Sequence, residues 1–269
     1  MDNKTFLKEF GSHSGYDFSN YSSNSISRRL QKLCDETGLS FEQILDKIVA
    51  DRKYVRQIVE DITVNTTELF RDPAVWIDLR QYMYPKIPTA VTATIWHIGC
   101  STGLEVYSDL VMLSELGMLD KVRVYATDIN ESVLETARSG QYVYSFNRGY
   151  VDNFNEVMKG CGFSATFDKY FDIDEDADLI KVKDCLMGKA SFMTQDLVRD
   201  RAPFPYKVDV AFFRNVMIYF DEGLQNKILA DVKERMHTGA VLIMGKQEEV
   251  PPAMKISFKR IGLFYKKNS

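Results

Sequence analysis

Histidine is scarce in this sequence. Only His13, His97 and His237 occur in 269 residues, too few and too scattered to suggest metal chemistry built on imidazole. Cysteine is nearly as sparse: Cys34, Cys100, Cys161 and Cys185 stand far apart with no CxxC pair. Such spacing offers no zinc site and fits reduced thiols in a cytoplasmic protein. No apolar run approaches the ~18 residues of a membrane span, and no signal pattern is read at the N-terminus. Membrane insertion is therefore not expected. Charge of one sign is lacking too. The chain has 34 basic and 38 acidic side chains, a net charge of −4 and a pI of about 5.5. That balance gives no general reason to expect nucleic-acid binding.

What is present is an ordinary globular balance, 45% hydrophobic and 27% charged. Residues 1–72 read as an all-helical domain. Ile26, Leu30 and Leu33 share one helix face, and Gly38 stops that helix. Ser40 caps a second, with Phe41, Ile44, Leu45, Ile48 and Val49 on its stripe. A third starts near Asp51 and carries Val55, Ile58, Val59 and Ile62. The β-branched, polar run Val64–Thr67 should break it. One more helix is expected over Ala74–Met83, and Pro85 and Pro88 mark a linker, so that residues 73–92 connect the two halves.

Residues 93–269 alternate strands and helices, the pattern of a doubly wound α/β sheet. Strands are expected at Thr94–Ile98, Val122–Ala126, Val208–Phe213 and Val241–Met244. Helices are expected at Glu105–Leu116, Glu131–Ser139 and Gly223–Met236, with a final hairpin through Ile256–Lys259 and Gly262–Tyr265. Residues 166–193 break the rhythm. Lys169–Ile173, Leu179–Val182 and Ser191–Thr194 read as short antiparallel strands of a small inserted β-subdomain. The aromatics of residues 142–171 read as packing for it.

The most informative stretch is Ile95–Gly103, where an apolar strand runs into a glycine-bounded turn that opens a helix at Leu104. Asp128 ends a second strand 25 residues after Gly103. Strand, glycine turn, helix, strand and acid is how an open parallel sheet holds a nucleoside. The glycines let backbone approach the ligand, and the acid can accept from both ribose hydroxyls. An adenine nucleoside cofactor is the expectation.

Two other patterns compete. Gly99–Gly103 also spells G-x-S-x-G, a hydrolase nucleophile elbow. His237 would then have to lie on a loop after a strand, whereas it is expected to close a helix, near the negative end of the dipole. Asp172, Asp174, Asp176 and Asp178 alternate like the start of a calcium loop, but its glycine and glutamate positions hold Ala177 and Lys183. A solvated turn between strands is the better reading.

Four motifs in order are similar to those of one family. They are Asn65-Thr66-Thr67-Glu68-Leu69-Phe70-Arg71, Gly99–Ser108 (GCSTGLEVYS), Ala126-Thr127-Asp128-Ile129 and Phe213–Asp221 (FRNVMIYFD). Over nearly the whole chain they resemble the CheR family, the chemotaxis receptor glutamate O-methyltransferases. The resemblance implies S-adenosylmethionine as cofactor, S-adenosylhomocysteine as product, and methylation of glutamate side chains on the cytoplasmic helices of methyl-accepting chemoreceptors. It also implies site roles. Asn65 and Thr67 would close over the cofactor, and Arg71 would lie beside its methionine part and the methyl path. Glu105 would accept from the cofactor's amino group, and Asp128 would hold the ribose. Asp196 and Leu197 would meet the adenine. Asn215 and Val216 would complete the pocket, and Tyr219 would flank the transfer site.

Methyl transfer to a carboxylate suits this cast, because the nucleophile is anionic at pH 7 and needs no strong base. Arg71 can orient it through paired hydrogen bonds. This chain departs from the family pattern in four places: Leu69 in the usual FFR, Gly103–Ser108 for GEEPYS, Asp196 for asparagine, and Gly245-Lys246-Gln247-Glu248 for GHSE. A basic helix through Arg28, Arg29 and Lys32, with Arg52, Lys53 and Arg56 nearby, would dock on the receptor. The inserted β-subdomain could pair with a receptor tail. Against docking, residues 1–60 hold nine basic and nine acidic side chains, a neutral balance that also suits a plain solvated face. A non-catalytic S-adenosylmethionine sensor or scaffold on the same fold is the alternative, and a serine hydrolase built on Ser101 is another.

Overall fold

The computed structural model describes residues 1–87, 92–147 and 149–268. Residues 88–91 of the expected linker, Pro88 among them, lie outside them. Four N-terminal helices come first: α1 (Asn3–Ser14), α2 (Ser23–Thr37), α3 (Phe41–Ala50) and α4 (Arg52–Ile62). Local chemistry sets their ends. Asp2 caps α1 by accepting from the Thr5 amide. Gly15 and Gly38 close α1 and α2 in the left-handed conformation. Ser40 and Gln43 form a reciprocal capping box at α3. The helices bury a common core of Phe6, Phe10, Phe18, Leu30, Ile44, Ile48 and Ile58. α1 was not singled out in the sequence, where short apolar spacing competes with glycine and serine.

The expected helix over Ala74–Met83 is interrupted. α5 covers Pro73–Asp78, and a π-helical turn (Leu79–Met83) and a 3-10 turn (Tyr84–Lys86) follow. Trp76, Leu79, Met83 and Tyr84 are almost fully buried in the largest core.

The main sheet has seven strands in the order β6-β2-β1-β7-β8-β10-β9. They are β1 (Ala93–Ile98), β2 (Val122–Asp128), β6 (Ala190–Thr194), β7 (Val208–Phe213), β8 (Met236–Met244), β9 (Phe258–Ile261) and β10 (Phe264–Lys267). β6, β2, β1, β7 and β8 run parallel, and β10 runs antiparallel to both of its neighbours, β8 and β9. Helices α6 (Leu104–Glu115), α7 (Glu131–Ser139) and α9 (Glu222–Arg235) connect them. β1 is buried at all six positions. Ile95 packs into one core and Trp96 and Ile98 into the other, as a strand covered on both faces requires. The chain order reverses between β1 and β7, so the carboxyl end of β1 opens a crevice.

Several expectations are corrected here. Ser191–Thr194 belongs to β6, which pairs in parallel with β2 from Val124↔Ala190 to Asp128↔Thr194. It covers the free edge of β2 instead of joining the inserted sheet. That small antiparallel sheet has the order β3-β5-β4, from β3 (Gln141–Val143), β4 (Phe171–Asp174) and β5 (Leu179–Val182). β3 and the helix α8 (Gly149–Cys161) were not foreseen. The nearby aromatics Tyr142, Tyr150, Phe154, Phe167, Tyr170 and Phe171 are core. The final hairpin lies two residues further on than expected. His237 is an exposed residue of β8, because α9 ends at Arg235. The alternating aspartates make a turn. Asp174 Oδ1 accepts from the Ala177 amide, and Asp178 accepts from the Ser145 amide and hydroxyl.

Candidate active site

A cleft opens at the carboxyl end of β1 between the N-terminal helices and the sheet. Asn65, Thr67, Arg71, Glu105, Asp128, Leu197, Asn215, Val216 and Tyr219 all line it. These residues come from sequence positions 65 to 219, so only folding brings them together. Asp196 is the exception. Its Oδ1 accepts from the Val198 amide at 2.9 Å, so that oxygen serves its own loop. Gln195 lines the cleft instead, and its buried Oε1 has no partner.

The backbone around the cleft is unusual. Phe70, Asp72, Ser101 and Asn215 have φ of 51°, 58°, 51° and 61°, conformations that cost non-glycine residues of order 1–3 kcal/mol and cluster at functional sites. They are held by specific contacts. The Phe70 amide donates to Ser108 Oγ at 2.8 Å, and its ring meets Trp76 and Phe154 edge-on. Trp76 Nε1 and Arg214 Nη2 both donate to the Arg71 carbonyl at 3.1 Å. Arg71 is thus pinned between two strained residues, with its guanidinium Nη1 3.4 Å from the Thr66 carbonyl. Gly99, at φ 66°, could not carry a side chain: a Cβ would lie 2.5 Å from Val216.

Asp128 ends β2 inside the cleft. Its Oδ2 accepts from the Ser101 amide at 2.8 Å and its Oδ1 from Asn130 at 3.0 Å. Burial raises its pKa, and those amides oppose the shift. Ser101 Oγ donates to the Asn65 carbonyl at 2.9 Å, tying the glycine turn to the loop after α4. That hydroxyl makes no hydrogen bond to a histidine. Burial would raise the pKa of Glu105 as well, but His97 and Arg214 outweigh it and hold the carboxyl below its usual range. Arg214 is almost fully buried and binds Glu105 Oε2 at 3.1 Å and Asp72 Oδ2 at 2.7 Å.

The sequence reading overlooked Arg214, although it stands beside Asn215 in a recognised motif. It also overlooked Glu248. That buried carboxylate accepts from the amides of Asn215 (2.6 Å), Gly245 (2.8 Å) and Ile218 (3.2 Å). The altered Gly245–Glu248 segment therefore keeps the group that holds the loop carrying Asn215 and Tyr219. Burial raises the Tyr219 pKa, opposed by Arg29 of α2 and Arg71. Arg28 and Lys32 are exposed on α2, and Lys32 pairs with Glu36 at 3.4 Å.

A doubly wound sheet with an acid ending its second strand and a cleft at the strand tips defines a nucleoside-binding protein. The donor set fits a cationic nucleoside: carboxylates from Glu105 and Asp128, apolar walls from Ile129 and Leu197, and an unpartnered Gln195 oxygen. Sequence comparison narrows the class. Residues 65–265 match the CheR methyltransferase, SAM binding domain, and residues 1–63 match the CheR methyltransferase, all-alpha domain. The chain belongs to the CheR methyltransferase family, and its cofactor is S-adenosylmethionine. A protein named putative methyltransferase Cher3 from Pseudomonas putida is 31% identical over 236 residues, covering 87% of this chain and 84% of that one. A chemotaxis protein methyltransferase from Borreliella burgdorferi is 29% identical, covering 84% and 80%. Chemotaxis protein methyltransferase 1 from Pseudomonas aeruginosa is also 29% identical, covering 83% and 81%.

Proposed function

We propose that this methyltransferase esterifies glutamate side chains on the cytoplasmic helices of chemoreceptors, acting in the cytoplasm. The observation that carries the reading is the pair Arg71 and Tyr219, which meet at one cleft with Glu105 and Asp128. Supporting it, relatives of similar length are named chemotaxis protein methyltransferases. Among the described residues no helix is long and apolar enough to cross a membrane.

The cofactor supplies an electrophilic methyl group on a sulfonium. Asp128 would hold its ribose, Glu105 its amino group, and Gln195 and Leu197 its adenine. Asn65, Thr67, Asn215 and Val216 would enclose it. Arg71 would align the substrate carboxylate through paired N–H donors, and Tyr219 would donate one further hydrogen bond. No proton has to be removed from the nucleophile, so positioning and exclusion of water do the work. Arg28, Arg29, Lys32 and the inserted sheet are the proposed receptor contacts.

The test is transfer of labelled methyl to membrane and soluble fractions of the source cell. Base-labile label on a membrane band, lowered about 10²-fold by Arg71→Ala, is the expected result. Label on a soluble band would change the partner. Cofactor binding without any transfer would instead favour a sensor.

A further inference from the structure

His97 sits in the middle of β1 and is completely buried. Its ring stacks on Phe212 at 4.3 Å between centroids. Nδ1 lies 3.1 Å from Glu105 Oε1, and Nε2 lies 3.1 Å from Asp109 Oδ2. Both partners are carboxylates on α6. A neutral imidazole has one donor nitrogen and could satisfy only one of them. Two ionised carboxylates therefore require a proton on each nitrogen, which makes the ring an imidazolium. Tyr84 donates to the other Asp109 oxygen at 2.5 Å, and Arg214 serves the other Glu105 oxygen. Every hydrogen-bonding direction of the buried ring is thus used.

We propose that His97 is a positioning residue of the methyl-donor site: as a buried imidazolium it fixes the Glu105 carboxylate against the cleft. This rests on the reading of Glu105 as acceptor for the cofactor's amino group. Glu105 follows Gly103 closely, at the start of a helix, and a glutamate has three rotatable torsions. Arg214 fixes one oxygen. The His97 bond at the other removes the remaining rotation, so the carboxylate meets its ligand preorganised. Charge supports this. Counted at formal charge, the carboxylates of Glu105, Asp109 and Asp72 outnumber the cations His97 and Arg214 that contact them by one, the complement of an ammonium. Burial by itself would lower the His97 pKa, but the bonds to Asp109 and Glu105 win and hold it at about 9.

Two measurements test the proposal on the full chain. The first is affinity for S-adenosylhomocysteine, read by calorimetry for Glu105→Gln, His97→Ala and the double variant. Each single change should weaken binding roughly tenfold, the scale of one charge-assisted hydrogen bond. The double variant should bind no worse than Glu105→Gln, since His97 acts through Glu105. Additive losses, or wild-type affinity in His97→Ala alone, would overturn the proposal and leave the Glu105 assignment standing. Wild-type affinity in Glu105→Gln would remove Glu105 from the cofactor and the proposal with it. Should His97→Ala fail to fold because the buried Asp109 keeps only Tyr84 as partner, Asp109→Asn with His97→Ala removes that carboxylate. It is then compared with Asp109→Asn alone. The second measurement needs no variant. Nitrogen-15 spectra of the three histidines at pH 8 should show one imidazolium, with a resonance that moves when S-adenosylhomocysteine binds. A neutral, unresponsive ring at position 97 would refute the role.

Discussion

The backbone amide of Ser22 donates to the carbonyl of Tyr219 at 2.8 Å. Ser22 precedes α2, and Tyr219 lines the cleft. The Asp221 amide returns a bond to Asn20 at 3.0 Å, and Tyr21 stacks edge-on with Phe220 at 5.0 Å. A short bridge therefore joins the basic helix to the loop of the active site. Ser22→Pro removes the donor at a φ of −51° that proline accepts. Methyl-transfer turnover should fall about fivefold, matching the loss of one bond of about 1 kcal/mol. The melting temperature should move little. Unchanged turnover would show that the bridge does not hold Tyr219.

Glu248→Ala should destabilise the protein by about 2–4 kcal/mol, because three amides lose a buried acceptor together. Glu248→Gln retains one acceptor oxygen but brings a donor towards the amides, so it should recover only part. Denaturant midpoints, compared with turnover, check this. A stability loss below ~0.5 kcal/mol, typical of surface sites, would deny the anchoring role.

Asp128→Ala should weaken S-adenosylhomocysteine binding by about two orders of magnitude, since two charge-assisted bonds to the ribose are lost. Asp128→Asn turns an amide towards the Ser101 or Asn130 N–H and should also bind weakly. Affinity within twofold of wild type in both variants would sink the ribose assignment.

Stability should fall as pH rises from ~6.5 to about 9. His97 has an unfolded pKa near ~6.5 and about 9 in the fold. Its contribution is complete below the first value and lost as pH passes the second. The groups facing it are Glu105 and Asp109 on α6, Asp72 before α5, Tyr84 beyond α5 and Arg214 after β7. Glu105 is shifted down and Tyr84 well up, away from this window. Denaturation free energies of wild type and His97→Gln should converge towards pH 9.5. Parallel curves would contradict a buried imidazolium.

Residue order alone determined a good deal. The caps at Ser40 and Gly38, the β1–turn–α6 unit and the strand-end Asp128 are local patterns, and each is set by hydrogen bonds or periodicity within a few residues. The parallel α/β class follows from their alternation. The cofactor and most cleft residues were legible through motifs kept in order, from Asn65 to Tyr219.

Tertiary structure decided the rest, because those features depend on segments distant in sequence. Whether Ser191–Thr194 joined the small sheet or the large one turned on the unpaired edge of β2, which no local propensity reports. Asp196 gives one carboxylate oxygen to the Val198 amide of its own loop, and its neighbour Gln195 lines the cleft. His97 looked like one more apolar-strand residue. Only the register that stacks it on Phe212 and sets α6 across β1 gives both nitrogens a carboxylate, since a buried charge persists where its partners are assembled around it.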